Sequence, residues 1–189
     1  MILVIDTSSP IAAVAGIEEG GLMTESLIPA RSPELVARLR AIARSHTITK
    51  VAVATGPGSF TGLRAGVSFG LGLAMGLRVP IVPLPTLELQ AARSDDPLTA
   101  VVDAGRGRFF YLFPGRDVAL GSPAEIPKDH ELVGRLEHRE VLLDEGHVLR
   151  SEDRLRPFAK AAARLLETAS EVPYRSLRIE YMQSFSAHH

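Results

Sequence analysis

Apolar positions follow two rhythms along this chain. Short apolar runs occupy residues 2–6, 12–17 and 22–28, and the cluster Glu18-Glu19-Gly20-Gly21 separates the last two. Runs of this length bounded by turn residues predict strands. Three of them joined by short turns predict an antiparallel meander. The rhythm then changes: Leu35, Val36, Leu39, Ile42 and Ala43 recur at helical spacing. Ser32 suits the N-cap of that helix, Pro33 its first position and Glu34 its positive end. Residues 51–55 read as a further strand, broken by Gly56-Pro57-Gly58. A second helix is predicted over 61–77, a strand over 80–84 and a short helix over 86–93.

The resulting order, βββαβαβα, mixes an antiparallel hairpin with parallel crossovers. It is the order of the ribonuclease-H-like half of an actin-like protein. The second half begins the same way: residues 99–103 repeat the apolar strand ending in Asp, and 108–113 take the place of the second strand. A duplicated unit implies two lobes with a cleft between them. Later signals are weaker. A helix is expected near 128–136, a strand at 140–144 and a helix at 156–168, with 114–127 irregular. No comparable glycine loop follows Asp144. The expected fold is therefore α/β, an actin-like/sugar-kinase fold of two ribonuclease-H-like lobes, at 1–97 and 98–189, the second abbreviated.

Composition narrows the function classes. The chain has 189 residues, 46% of them hydrophobic, enough to bury a core. No apolar run reaches about 18 residues, the length that would suggest a membrane span, so no segment is expected to cross a membrane. The start Met1-Ile2-Leu3-Val4-Ile5-Asp6 has no basic segment or cleavage site of a secretory signal. The absence of cysteine excludes disulfides and thiolate chemistry and is compatible with the cytosol. A formal net charge of −1 is not that of a domain gripping nucleic acid alone, so RNA contact would be shared with a partner.

The strongest local motif is Gly56-Pro57-Gly58-Ser59-Phe60-Thr61-Gly62-Leu63-Arg64. Such a strand-to-helix turn can present backbone N–H groups to an anion, but it lacks the ending of a Walker A loop. A tight turn with Ser59 or Thr61 as N-cap is the competing reading. In the helix that follows, Gly62, Gly66 and Gly70 are four apart, as are Gly72 and Gly76, and Arg64 is the only charge. Each glycine costs about 0.8–1 kcal/mol relative to Ala, so close packing must offset them. It can lie inside the chain or against a second protein. For the partner surface, Gly62, Gly66, Phe69, Gly70 and Leu73 are the candidates. Asp6-Thr7-Ser8 after the first strand and Asp103 after its repeat are candidates for phosphate or cation contact, with Gly56, Gly58 and Ser59; Asx and Ser turns are the alternative. His46, His130, His138 and His147 form no ligand-spaced pair, no H-E-x-x-H motif occurs, and no nucleophile elbow is recognisable. His188-His189 end the chain.

Ile5-Asp6-Thr7-Ser8, the Gly56–Arg64 segment, Gly76-Leu77-Arg78-Val79-Pro80 and Val101-Val102-Asp103-Ala104 resemble the TsaB (YeaZ) family in order and spacing. The similarity covers about residues 1–113. It implies a cytoplasmic, non-catalytic subunit required for threonylcarbamoyladenosine beside the anticodon of tRNA. The implied partners are a TsaD-like catalytic paralogue, a TsaE-like ATPase and, through the complex, tRNA; the glycine-rich helix over 61–77 itself suggests a homodimer when the chain is alone. No intrinsic cofactor is implied, and ATP or ADP would bind only in the complex. The catalytic paralogue carries Asn-His-x-x-x-His where this chain has Thr86 and Gln90 at the two histidine positions. A His-Ser pair common in the family before the first helix is Arg31-Ser32 here.

Two other classes compete. An actin-like ATP-dependent phosphotransferase would use Asp6, Ser8 and the Gly56–Gly58 loop, but residues 104–189 show no adenosine site of their own. A metallopeptidase would need the missing His-x-x-x-His.

Overall fold

The computed structural model describes residues 1–180. The meander forms as β1 (Ile2–Asp6), β2 (Ile11–Ile17) and β3 (Met23–Pro29), followed by α1 (Pro33–Ser45) and β4 (Lys50–Gly56). Then come α2 (Phe60–Leu77), β5 (Ile81–Pro85) and α3 (Thr86–Ala91). Together the strands make a five-stranded sheet in the order β3-β2-β1-β4-β5. β1 runs antiparallel to β2 and parallel to β4, with Ile5 opposite Val14 on one side and Val53 on the other. At the start of α1, Ser32 Oγ accepts from Glu34 N at 3.2 Å, with Pro33 and Glu34 in the first turn.

Strand periodicity divides the first sheet's residues between two layers. Leu3, Ile5, Val51 and Val53 point to a face covered by Leu35, Leu39 and Ile42 of α1 and by Val67 and Ala74 of α2. Val4, Ala13, Ala15 and Ala52 point to the opposite face. Val36, which shares the helical spacing, is exposed.

The second half repeats the plan with fewer parts. β6 (Thr99–Gly105), β7 (Arg108–Leu112), β8 (Val118–Gly121) and β9 (Leu132–Val133) form a sheet in the order β8-β7-β6-β9. β7 is antiparallel to β6, and β9 is parallel to it. β6, β7, β8 and β9 thus stand where β1, β2, β3 and β4 stand in the first sheet. No helix separates β8 from β9; a single 3-10 turn at Pro123–Glu125 takes that place. The fold is the actin-like, two-lobed ribonuclease-H-like one, with an abbreviated second lobe.

Three expectations for the second half fail. Residues 128–136 are not helical, because Leu132 and Val133 pair with Thr99 and Ala100 and Leu132 N also donates to Val148 O. Segment 140–144 is not a strand but the helix α4 (Arg139–Asp144), which buries Leu142 alone. A short apolar run cannot be assigned by periodicity. The stretch 114–127 contains β8.

The last helix, α5 (Phe158–Leu166), does not stay with the second sheet. Phe158, Ala159 and Ala162 pack under Val4, Ala13 and Ala52 of the first. Farther on, Val172 N donates to Ile81 O at 3.0 Å, and the Tyr174 hydroxyl donates to Val79 O at 2.7 Å. A boundary at residue 98 therefore separates the sheets along the chain but not this returning segment. α2 is 18 residues long with a mean hydropathy of 1.2, so by length and composition alone it could cross a bilayer, against the expectation that no segment would. As the crossover between β4 and β5 it lies on the first sheet.

Candidate functional site

The loop after β1 lies beneath the start of α2. Asp6, Thr7, Ser8 and Ser9 are all buried. Asp6 Oδ1 accepts from Ser8 N at 2.9 Å and from Ser8 Oγ at 2.6 Å. Thr7 Oγ1 donates to Gly62 O at 2.7 Å, and Ser59 N donates to Ser8 O at 2.7 Å. Ser59 Oγ caps α2 by accepting from Gly62 N at 3.3 Å. On the far side of the glycine turn, Gly56 N donates to Thr86 Oγ1 at 3.2 Å. Gly58 has φ +153°, and a Cβ there would lie 2.6 Å from Ser8 O, so only glycine fits. Glu180 N donates to Thr55 O, and the Glu180 carbonyl would lie 2.8 Å from a Cβ on Gly56.

Asp6, Thr7, Ser8, Gly56, Gly58 and Ser59 are thus brought together as the sequence pattern suggested. Their hydroxyls and several of their amides are engaged with one another. This arrangement is the turn-and-cap reading of the motif. Asp103 does not join the group: its Oδ2 accepts from Glu137 N at 2.9 Å within the second lobe. Gly105, Arg106 and Gly107, all at positive φ, form the tight β6–β7 turn beyond it. Among the described residues no three His, Asp or Glu side chains group as a metal site.

The glycines of α2 separate into two sets. A Cβ on Gly62 would lie 2.0 Å from Thr7 O, one on Gly66 2.1 Å from Thr7 Oγ1, and one on Gly70 2.3 Å from a methyl of Val53. Gly66 and Gly70 are buried, and Phe69 and Leu73 are half-buried against the first core. Of the residues expected at a partner surface, Gly62, Gly66 and Gly70 thus meet the chain's own residues, while Phe69 and Leu73 stay partly exposed. The close approach serves the chain's own β1 loop and β4. Around Gly72 and Gly76 nothing lies within 4 Å. The outward face is instead Thr61, Ala65, Ser68, Gly72, Met75 and Gly76, with Arg64 stacked over the Phe60 ring at 4.0 Å.

Thr86 is fully buried, and its hydroxyl accepts from Gly56 N, so it holds the glycine turn. Gln90 is buried with Oε1 unpaired. Arg93, 3% exposed, makes a bidentate pair with Glu152 and donates through Nε to Arg156 O, tying the connection between the sheets to the returning chain. Arg156 and Arg164 both reach Asp95.

Sequence reasoning passed over Arg93 and Arg135. Arg135 lies two residues beyond β9, a placement visible only once β9 is recognised as a strand.

Two curated proteins named tRNA threonylcarbamoyladenosine biosynthesis protein TsaB are similar to the chain. One, from Bacillus subtilis (strain 168), is 31% identical over 120 residues, 58% of this chain and 52% of its own length. The other, from Escherichia coli (strain K12), is 33% identical over 75 residues, 37% of this chain and 32% of its own length. The chain thus matches about half or less of these relatives. The solved structure of YeaZ from Pseudomonas aeruginosa superimposes with a TM-score of 0.70 at 20% identity, covering 95% of this chain and 99% of that one.

The chain is similar in sequence to TsaB proteins and shares the fold of YeaZ.

A second structure, of a protein described as similar to peptidase YEAZ from Pseudomonas aeruginosa, superimposes at 0.69 with 20% identity over 96% of this chain and 99% of that one. The family model for TsaD, tRNA N6-adenosine threonylcarbamoyltransferase, matches residues 33–122. That segment runs from α1 through β8 and takes in Thr86 and Gln90.

Proposed function

We propose that this chain is a non-catalytic partner subunit in the biosynthesis of threonylcarbamoyladenosine in tRNA, acting in the cytoplasm. It pairs with a TsaD-like catalytic paralogue, with a TsaE-like ATPase and tRNA joining through the complex. The observation that carries the reading is the outward face of α2. Phe60, Met75 and Leu77 are exposed on an 18-residue helix whose only charge is Arg64. An apolar helix face of this kind marks an interaction site. Because the TsaD family model matches the segment containing α2, the paralogue would carry an equivalent helix, and the two could pair face to face. The same face would serve a homodimer when the chain is alone.

Support for the non-catalytic role comes from position 86. The Thr86 hydroxyl, standing where the paralogue has its first histidine, is committed to Gly56 N. The phosphotransferase alternative is weakened by Asp6 and Ser8, whose polar groups bond each other. The test is Ser68→Arg, which places charge at the centre of the exposed face, at a position that is itself exposed. Circular dichroism and melting temperature are expected to be unchanged. Affinity for the TsaD-like subunit, measured by calorimetry with both purified chains, is expected to fall at least tenfold. Unchanged affinity in a folded Ser68→Arg chain would refute this surface. Turnover of threonylcarbamoyl-adenylate with tRNA by the isolated chain would refute the non-catalytic role.

A further inference from the structure

We propose that the cleft between the two sheets binds a small oxyanion, a carboxylate or a phosphate, on the guanidinium of Arg135. This does not depend on the partner-subunit reading. The cleft has a volume of about 450 Å³. Ile11 and Leu27 wall it from the first sheet, and Arg135, Leu136, Arg139 and Leu149 from the second.

Arg135 is 8% exposed, and none of Nε, Nη1 and Nη2 has a hydrogen-bond partner among the described residues. The Phe158 ring, 5.3 Å from Cζ, covers one face of the guanidinium and leaves its edge donors unsatisfied. Burial lowers its pKa, and the Asp6 charge opposes that shift. An arginine side chain nonetheless stays protonated in proteins. A buried cation with five unpaired donors is costly unless a counter-charge with matching acceptors reaches it.

The neighbouring carboxylates are committed elsewhere. Glu152 pairs with Arg93, Glu131 and Asp96 pair with Arg150, and Glu25 accepts from Ala159 N. Asp6 Oδ2 is itself buried and unpaired and forms no ion pair with Arg135. The planar fork of arginine matches a carboxylate or phosphate through two parallel hydrogen bonds. The position also suits a ligand: Arg135 lies just beyond the carboxyl end of β9, which runs parallel to β6. Open α/β sheets bind ligands outside the carboxyl ends of their strands. Arg139 adds an exposed positive charge to the mouth, and the aliphatic walls accept an apolar substituent.

The test is calorimetric titration of the full chain with sodium phosphate and, separately, sodium isobutyrate, against sodium chloride at matched ionic strength. Saturable binding of at least one probe is expected, and the probe that binds identifies the source of the oxyanion. Arg135→Met is expected to weaken that binding at least tenfold. Ile11→Trp, which fills the cleft from the opposite wall and keeps Arg135, is expected to do the same, and it decides the matter if Arg135→Met does not fold. Absence of saturable binding by either probe overturns the proposal, as does binding that survives Ile11→Trp unchanged. Strong coupling between Asp6→Asn and Arg135→Met in thermal stability, with no anion bound, would identify an internal ion pair instead and would equally overturn it.

Discussion

Gly66 and Gly72 are the same residue type on the same helix, with opposite surroundings. At Gly66 an added methyl would enter the space of Thr7 Oγ1, 2.1 Å away, and Thr7 is held by its bond to Gly62 O. Gly66→Ala is therefore expected to destabilise the chain by about 1–3 kcal/mol, the usual cost of overpacking. At Gly72 nothing lies within 4 Å, and the backbone is helical. Gly72→Ala is expected to stabilise by about 0.8–1 kcal/mol through helix propensity. Urea denaturation of both variants, at a concentration where the chain is monomeric, checks the contrast. The regular spacing Gly62, Gly66, Gly70 marked a close approach in the sequence. It did not say to what, since a strand of the same chain and a second protein leave the same signature.

Among the connecting elements, the Arg93–Glu152 pair joins the segment after α3 to the chain returning toward α5. Hydrogen bonding to Arg93 holds the Glu152 carboxyl below its ordinary 4.5, although Glu152 is 59% exposed. A carboxylate whose folded pKa is depressed contributes stability that is present above its unfolded pKa. That stability is lost as pH falls through the folded value. Glu152→Gln is accordingly expected to be less stable than the parent at neutral pH. The difference should close as pH drops below about 4.5, and thermal melts across pH 3–7 would record it. A gap that stays constant with pH would show that packing, not charge, carries the effect. Exposure keeps the gap small.

For the whole molecule, the returning C-terminal segment decides the architecture. Phe158 is fully buried, starts α5 and lies beneath the first sheet, while its ring faces Arg135 of the second. Phe158→Ala is expected to cost about 3–5 kcal/mol, the range for deleting a buried aromatic. Because the ring touches elements of both sheets, both should loosen together. Hydrogen exchange that rises in β2 and in β9 would show this. A change confined to one sheet would mean that the two unfold independently.

The sequence by itself determined the first lobe almost element by element. Its strands alternate or run apolar between clear turn residues, α1 carries its own cap in Ser32-Pro33-Glu34, and the Gly56–Gly58 break is unmistakable. These are local signals, and local signals are written in neighbouring residues. The second lobe was legible only where β6 and β7 repeat the opening pattern. β9 is a strand because β6 offers it a parallel edge, and α4 is a helix although its apolar run is too short to declare one. Tertiary structure alone decided which side of α2 faces inward, because helical spacing defines faces but not which one meets the sheet. It also brought Arg135 beside Phe158 and within electrostatic reach of Asp6, residues far apart in the chain that no spacing rule connects.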